Sequence, residues 1–321
     1  MCGICGFFNF TSETPGEIVR DMAASLRHRG NEASGFFVER PVAFGHQRLS
    51  IIDLASRADQ PFVSANGRYV LVFNGEIYNY RELHGLIPDF SPRTTSDTEI
   101  LAELWAHKGP DCLQYLNGMF AFAIFDRVEQ SLFCVRDRLG VKPFYYWHDG
   151  HEFVFASEPK AILRHPKLSV RPNLTALSDY LSLGYVTGRA TAFAGVEKLE
   201  PGHFIKITSS GLSRVHYWNL ARRIRDGSCR RSDDLASLLD SAVQYRLISD
   251  VPVGSFLSGG IDSSAITAMA AHGGRELQTF TIGFREKSYD ESAAAAEFAA
   301  GLKLANQSMH FCAPDPAFLE R

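Results

Sequence analysis

Met1-Cys-Gly-Ile-Cys-Gly6 is the stretch whose reading decides the rest of the chain. Removal of Met1 makes Cys2 the first residue. Its own α-amino group, with an ordinary pKa of roughly 7.7–8.0, can then take the thiol proton, and no histidine partner is needed. The neighbouring glycines let a substrate approach the backbone closely. The plain alternative is a small apolar residue near a terminus. Cys2 and Cys5 also form a C-x-x-C, but a zinc site wants a second pair of ligands at similar spacing, and none follows. A thioredoxin-like pair would follow a strand inside a βαβ unit rather than open the chain.

Outward from the hexapeptide, the chain to about Gly211 has a β-rich texture. Met119-Phe-Ala-Phe-Ala-Ile-Phe125 and Ser131-Leu-Phe-Cys-Val135 predict a hairpin turning through Asp126 to Gln130. Phe144-Tyr-Tyr-Trp147 and Glu152-Phe-Val-Phe-Ala156 predict a second, around Asp149-Gly150. Val70-Leu-Val-Phe73 reads as a strand ending in Asn74-Gly75. A backbone N–H and a side-chain amide placed there suit a tetrahedral oxyanion, although Asn-Gly is also an ordinary turn. Thr14-Pro-Gly-Glu17 combines a capping box with Pro at the first helical position, before Ile18, Met22 and Leu26 repeat on one face. Ser96-Asp-Thr-Glu99 opens another helix, carrying Ile100, Leu101, Leu104 and Trp105, which Gly109-Pro110 stops.

The texture changes at Arg222-Arg-Ile-Arg-Asp-Gly-Ser228, a charged stretch that reads as a linker. Ser232 to Leu247 predicts an amphipathic helix with Leu235, Leu238, Leu239, Ala242 and Val243 inward. Val251-Pro-Val-Gly-Ser-Phe-Leu257 predicts a buried strand, followed by Ser258-Gly-Gly-Ile-Asp-Ser-Ser264 and an Ala-rich helix to about Ala271. A strand over Gln278 to Phe284 and a helix over Asp290 to Leu302 continue the alternation, which predicts a parallel sheet. The expected domains are 2–211 and 226–321, in keeping with 321 residues.

Hydrophobic residues make up 45% of the chain and charged residues 21%, the composition of a soluble globular protein. A net charge of −3 argues against a broad nucleic-acid surface. No apolar run is long enough to span a bilayer, and no basic, apolar leader opens the sequence. A cytoplasmic protein is expected, with its cysteines at 2, 5, 112, 134, 229 and 312 as thiols.

Taken together, Cys2-Gly-Ile, His28-Arg-Gly30, Arg48-Leu-Ser-Ile-Ile-Asp53, Asn74-Gly-Glu-Ile-Tyr-Asn79, Ser96-Asp-Thr-Glu99, Gly118-Met-Phe-Ala-Phe122 and Arg136-Asp-Arg-Leu-Gly-Val-Lys-Pro143 stand in the order found in class II glutamine amidotransferases. Over essentially the whole chain the sequence resembles glutamine-hydrolysing asparagine synthetases. The resemblance implies an α+β N-terminal-nucleophile sandwich of stacked antiparallel sheets, followed by an α/β parallel-sheet domain of the ATP-pyrophosphatase type. It implies that Cys2 attacks the glutamine side-chain amide and that Asn74 and Gly75 form the oxyanion hole. Arg48 would hold the α-carboxylate, for which a guanidinium fork is suited, with Leu49, Ser50, Ile51 and Ile52 beside it. Glu76 and Asp97 would hold the α-ammonium, although a carboxylate in a first helical turn is also a capping group. One departure stands out. The family pattern His-Arg-Gly-Pro-Asp is here His28-Arg-Gly-Asn-Glu32, which frees φ at position 31 and lengthens the carboxylate arm. It leaves open an acceptor other than aspartate, such as a sugar acid or a peptide.

The second resemblance lies at Ser258-Gly-Gly-Ile-Asp-Ser-Ser264, which has no Gly-Lys-Ser/Thr and so is no Walker loop. Between a strand and a helix, such glycines admit phosphates to the helix N-terminus. The loop is similar to the pyrophosphate-binding loop of AMP-forming enzymes. By that likeness Leu257, Ser258, Gly259, Gly260, Asp262, Ser263, Ser264 and Ile282 would meet ATP, with Asp262 helping to hold Mg²⁺. Ammonia would pass Arg29, Ile51, Ile52 and Met119, of which the Ile and Met residues equally suit plain core packing. The family's further Ser-Gly-Glu-Gly-Ser-Asp-Glu run is not found, so a synthetase half cut short is expected. Three readings follow: an asparagine synthetase-type enzyme, complete or as an N-terminal piece, with a homodimer open to it; a glutaminase feeding a separate synthetase chain; or a regulatory or binding subunit that keeps the fold without activity. The phosphoribosyl-transferring amidotransferases share the first half but should lack the Ser-Gly-Gly loop.

Overall fold

The structure is a computed structural model and describes residues 1–9, 15–227, 234–272 and 276–311. The chain divides into two compact units, Met1–Cys229 and Arg230–Arg321.

The first unit contains β1 (Gly3–Asn9), β2 (Ala33–Glu39), β3 (Val42–Arg48), β4 (Phe62–Val63), β5 (Tyr69–Ile77), β6 (Gly118–Asp126), β7 (Ser131–Arg136), β8 (Tyr145–His148), β9 (Glu152–Ala156), β10 (Glu197–Lys198), β11 (His203–Thr208) and β12 (Gly211–His216). They form two six-stranded sheets, ordered β10-β8-β9-β1-β3-β2 and β12-β11-β7-β6-β5-β4. Neighbouring strands pair antiparallel, as β1 does with β3 and β5 with β6.

Alternation along β1 shows how the layers stack. Ile4 and Phe8 enter a core shared with Val72, Ala123 and Phe125 of the opposite sheet. Cys5 and Phe7 point the other way, onto Val19, Met22 and Ala23 of the helix Gly16–Ala24. On the outer face of the second sheet, Trp105 of the helix Asp97–Lys108 meets Phe122 and Phe133 edge-on. Both faces of β1 are therefore covered, and all seven of its residues are buried. Each fully buried phenylalanine contributes roughly 1.5–3 kcal/mol. The sandwich expected from the sequence is the fold observed.

Both predicted hairpins form, with Asp126 opposite Ser131 and His148 opposite Phe153. Ser96 caps its helix by accepting from the Thr98 N–H, and Gly109 ends it at φ +57. Three local expectations are corrected. Asn74-Gly75 does not end a strand: β5 runs on to Ile77 because β6 pairs along its whole length, with Asn74 opposite Ala121 and Gly75 opposite Phe120. Pro15 occupies the N-cap rather than the first helical position, without a side-chain cap, and Thr14 lies outside the described residues. The stretch read as a linker is helical through Arg225, because Asn219 caps the helix Leu220–Arg225 by accepting from Arg222 N–H, while Ser228 lies outside the described residues.

In the second unit β13 (Gly254–Phe256), β14 (Gln278–Phe284) and β15 (Ala305–Phe311) make a parallel sheet in that order. The helices Leu235–Arg246, Ile261–Ala271 and Ser292–Gly301 alternate with them, as the pattern predicts. β15 went unread because Ala305-Asn-Gln-Ser is polar. The expected buried strand over Val251–Leu257 is three residues long and lies at the sheet edge, so that Phe256 is 79% exposed while Leu257 is buried. Leu235, Leu238 and Leu239, expected inward, are exposed as well, and only Val243 and Leu247 of that segment are buried.

Candidate active site

Cys2 precedes β1, and the ends of β3 and β5 converge on it. Its Sγ accepts from the Leu49 N–H at 3.4 Å and lies 3.5 Å from the Leu49 carbonyl. Arg29 donates from Nε to the Cys2 carbonyl at 3.0 Å and from Nη1 to Glu158 at 2.8 Å. Gly30, extended at φ −169, is required by close approach, since a Cβ there would stand 2.4 Å from the Arg48 backbone. The unusual Glu32 reaches across to the Ser50 N–H at 2.7 Å and so braces the segment that follows β3.

A cavity of about 160 Å³ opens beside the thiol. Its walls include Cys2, Arg48, Leu49, Ser50, Ile51, Ile52, Asn74, Gly75, Glu76, Asp97 and Met119. Every residue singled out for the first site thus comes to one place. Arg29 reaches the Cys2 carbonyl without lining the cavity. Sequence reasoning passed over Lys142, Gln60 and Thr98, which also line it. Lys142 stands inside the quoted stretch Arg136–Pro143, between Gly140 and Pro143, and that is the signal by which it could have been found.

The electrostatics follow from burial. Desolvation pushes the Cys2 thiol up and the Met1 amine down, while the Leu49 N–H lowers the thiol in part. Burial lifts Asp97 to about 7 against the Ile77 N–H bond that lowers it. Glu76 is raised by desolvation, with Lys142 opposing. Arg48 is buried and uses three of its N–H groups on the Ala55 carbonyl, the Asp53 carbonyl and Asp59. A guanidinium has five, so two remain for an incoming anion. The Asn74 Nδ2 is buried with no hydrogen-bond partner among the described residues, the condition of a donor that awaits one. Two cations with spare donors, Arg48 and Lys142, with two carboxylates, a thiol and an unpaired amide make a cavity suited to a zwitterion that carries its own reactive carbonyl.

In the second unit the Ser258–Ser264 loop sits at the carboxyl end of β13, where open parallel sheets bind ligands. Gly259 takes φ +73, and Gly260 caps the helix Ile261–Ala271. Ser258 and Ser263 hydroxyls lie 3.0 Å apart. Leu257 donates from N–H to the Phe280 carbonyl, which puts it beside β14, where Ile282 is 56% exposed. Asp290, whose role the sequence left open, accepts from the Ser292 N–H at the start of a helix. No cluster of three or more His, Cys, Asp or Glu forms among the described residues. Within Ser258–Ser264 the carboxylate is that of Asp262, which suits Mg²⁺ only as carried by nucleotide phosphates.

The family profile described as Glutamine amidotransferase domain matches residues 1–218, and that described as Asparagine synthase matches 234–317. The chain is 38% identical over 298 residues to asparagine synthetase (glutamine-hydrolyzing) 3 of Bacillus subtilis, covering 89% of this chain and 48% of the relative. It is 35% identical over 318 residues to asparagine synthetase (glutamine-hydrolyzing) 2 of the same organism, covering 94% and 42%. The chain therefore spans about half the length of these curated relatives. The fold is similar to glutamine phosphoribosylpyrophosphate amidotransferase from B. subtilis, with a TM-score of 0.50 and 19% identity over 99% of this chain and 70% of that one. No helix among the described residues is long and apolar enough to cross a membrane.

Proposed function

The chain belongs to the glutamine amidotransferase family, and from that premise we propose that it hydrolyses glutamine at Cys2 and supplies the ammonia for ATP-dependent amidation of a carboxylate, with aspartate as the acceptor. The observation that carries this reading is the unpaired Asn74 amide in one cavity with Cys2, Arg48, Glu76 and Asp97.

In the proposed sequence, Arg48 takes the glutamine α-carboxylate and Glu76 with Asp97 the α-ammonium. The free α-amine of Cys2 accepts the thiol proton as sulfur attacks the side-chain carbonyl. The Asn74 Nδ2 and the Gly75 N–H receive the oxyanion, a contribution worth roughly 10²–10³ in rate per donor. Collapse expels ammonia, which takes the proton from the amine, and water then cleaves the thioester to glutamate. ATP adenylates the acceptor carboxylate at the Ser258–Ser264 loop with loss of pyrophosphate, and ammonia displaces AMP. Asp262 would hold Mg²⁺ carried by the nucleotide, which would shield phosphate charge. The acceptor rests on the names of the relatives, and a cytoplasmic setting on the free thiols of Cys2, Cys5, Cys112 and Cys134.

The test is glutamate release by the purified chain, with AMP and asparagine followed in parallel, with and without Mg·ATP and aspartate. Glutamate release is expected, and AMP with asparagine beside it would show that this chain also carries out the amidation. Glutamate alone would leave a glutaminase serving another chain, and AMP without asparagine would mean that water, not ammonia, reaches the acyl-adenylate. Cys2→Ala should reduce glutamate release to background, and retained release would sink the nucleophile.

A further inference from the structure

The cavity beside Cys2 carries more charge than glutamine recognition uses. Arg48 and Arg29 are both committed, the first to Asp59 and two carbonyls, the second to Glu158 and the Cys2 carbonyl. Lys142 differs. Only 5% of it is exposed, it lines the cavity, and its ammonium makes no hydrogen bond to the described residues. Its backbone, by contrast, is fixed. The Asp137 carboxylate accepts from the N–H groups of Phe120, Leu139, Val141 and Lys142 at 2.9–3.2 Å, and Arg136 donates from Nε to the Lys142 carbonyl at 2.8 Å. A lysine in a desolvated wall with no bonded partner is costly unless its charge acts on something nearby. The charged and titratable groups around it are Glu76, Cys2, Arg29 and Asp137, and the Met1 amine, one residue before Cys2, is within its influence.

We propose that Lys142 is a positioning residue for the first chemical step, whose unpaired ammonium keeps the α-amine of Cys2 neutral and favours ionisation of its thiol. The inference rests on the glutaminase reading above. Two carboxylates push in the opposite direction, Glu76 holding a proton on the Met1 amine and Asp97 holding one on the Cys2 thiol. Arg29 and Arg48 help Lys142, but their ion pairs with Glu158 and Asp59 cancel part of their field. Lys142 is the cation of this wall left free to balance the carboxylates. Its burial draws its own ammonium toward neutrality, and Glu76 holds the charge in place.

Lys142→Met keeps the length of the side chain and the Asp137 bonds to the backbone, so the unit should fold. Two profiles are read on the chain with Met1 removed. The first is the pH dependence of kcat/KM for glutamine hydrolysis, and the second the pH dependence of Cys2 alkylation by iodoacetamide, which needs no turnover. In Lys142→Met the acid limb and the apparent thiol pKa should both rise by about one pH unit, the effect of removing one close charge. Glu76, deprived of its counter-charge, takes a proton more readily and trims that rise. Lys142→Arg, which retains the charge, should keep the parent's profiles. Unmoved alkylation in Lys142→Met, or equal shifts in both variants, would overturn the proposal. A rise in KM alone with fixed profiles would do so as well, giving Lys142 to substrate binding. If the parent itself releases no glutamate, the glutaminase reading fails, and the alkylation profiles still judge Lys142.

Discussion

Asp97 carries two opposed demands. Burial holds this carboxyl up to about 7 although it accepts from the Ile77 N–H and the Ser96 hydroxyl, yet binding an ammonium needs it ionised. A carboxyl raised in the folded state binds its proton more tightly there than in the unfolded chain. Stability is therefore fullest near and below pH 4, falls as pH rises toward 7, and stays reduced above it. Asp97→Asn removes that dependence: its melting temperature should exceed the parent's at pH 8 and match it near pH 4. Its KM for glutamine should rise roughly 10–100-fold, the equivalent of about 1.5–3 kcal/mol for a lost charge-assisted bond. Thermal melts across pH with kinetics at pH 8 check both, and a less stable variant at pH 8 would show that the carboxylate is structural. The resemblance carried by the ordered motifs made Cys2, Arg48, Asn74 and Asp97 legible as a set, where each residue alone had a plainer reading. Lys142 was not, because a lysine in a loop ordinarily faces water, and only the Asp137 turn directs this one into the wall.

Strands and hairpins were readable where their causes are local. Asp126 to Gln130 and Asp149-Gly150 carry their own turn chemistry, and the flanking aromatic runs fix the pairing. Gly75 shows the limit. Asn-Gly signals a turn by sequence, but β6 lies so close that a Cβ on Gly75 would stand 2.3 Å from the Met119 carbonyl. Its glycine serves the approach of two strands, a fact held in tertiary structure. Gly75→Ala must spread β5 from β6 and should cost stability at the upper end of the ~1–3 kcal/mol typical of overpacking. Glutaminase activity should fall with it, since the same backbone N–H is assigned to the oxyanion. Gly85→Ala, with nothing within 4 Å of the added carbon, is the matched control and should leave both unchanged. Denaturant unfolding of the pair decides the matter, and equal stabilities would mean that β5 and β6 have room to spare. Burial in the second unit escaped prediction for a related reason: Leu235, Leu238 and Phe256 have the pattern of inward residues, but burial needs a neighbour, and none of the described residues covers them.

At the scale of the molecule, two units with separate cores carry two chemistries that the proposed reaction joins only through ammonia. The first unit presents a cavity complementary to a zwitterion, and the second a helix N-terminus and hydroxyls suited to phosphate. On the proposed reading each chemistry draws on the side chains of its own unit, so substitutions in one should leave the basal reaction of the other intact. Asp262 gives the sharpest test, because it stands in the first turn of the helix Ile261–Ala271 and accepts no hydrogen bond from the described residues. A carboxylate there is favoured by the helix dipole, worth roughly 0.3–1 kcal/mol, yet it repels phosphate unless a cation lies between. Asp262→Ala should therefore weaken Mg·ATP binding about tenfold while slightly strengthening binding of metal-free ATP. Glutamate release measured without nucleotide should be unchanged. Calorimetric titration with and without Mg²⁺ separates the two effects. Equal loss for both forms of ATP would make Asp262 a support of the loop rather than a partner of the metal, and unchanged affinity for both would remove the Ser258–Ser264 segment from the nucleotide site.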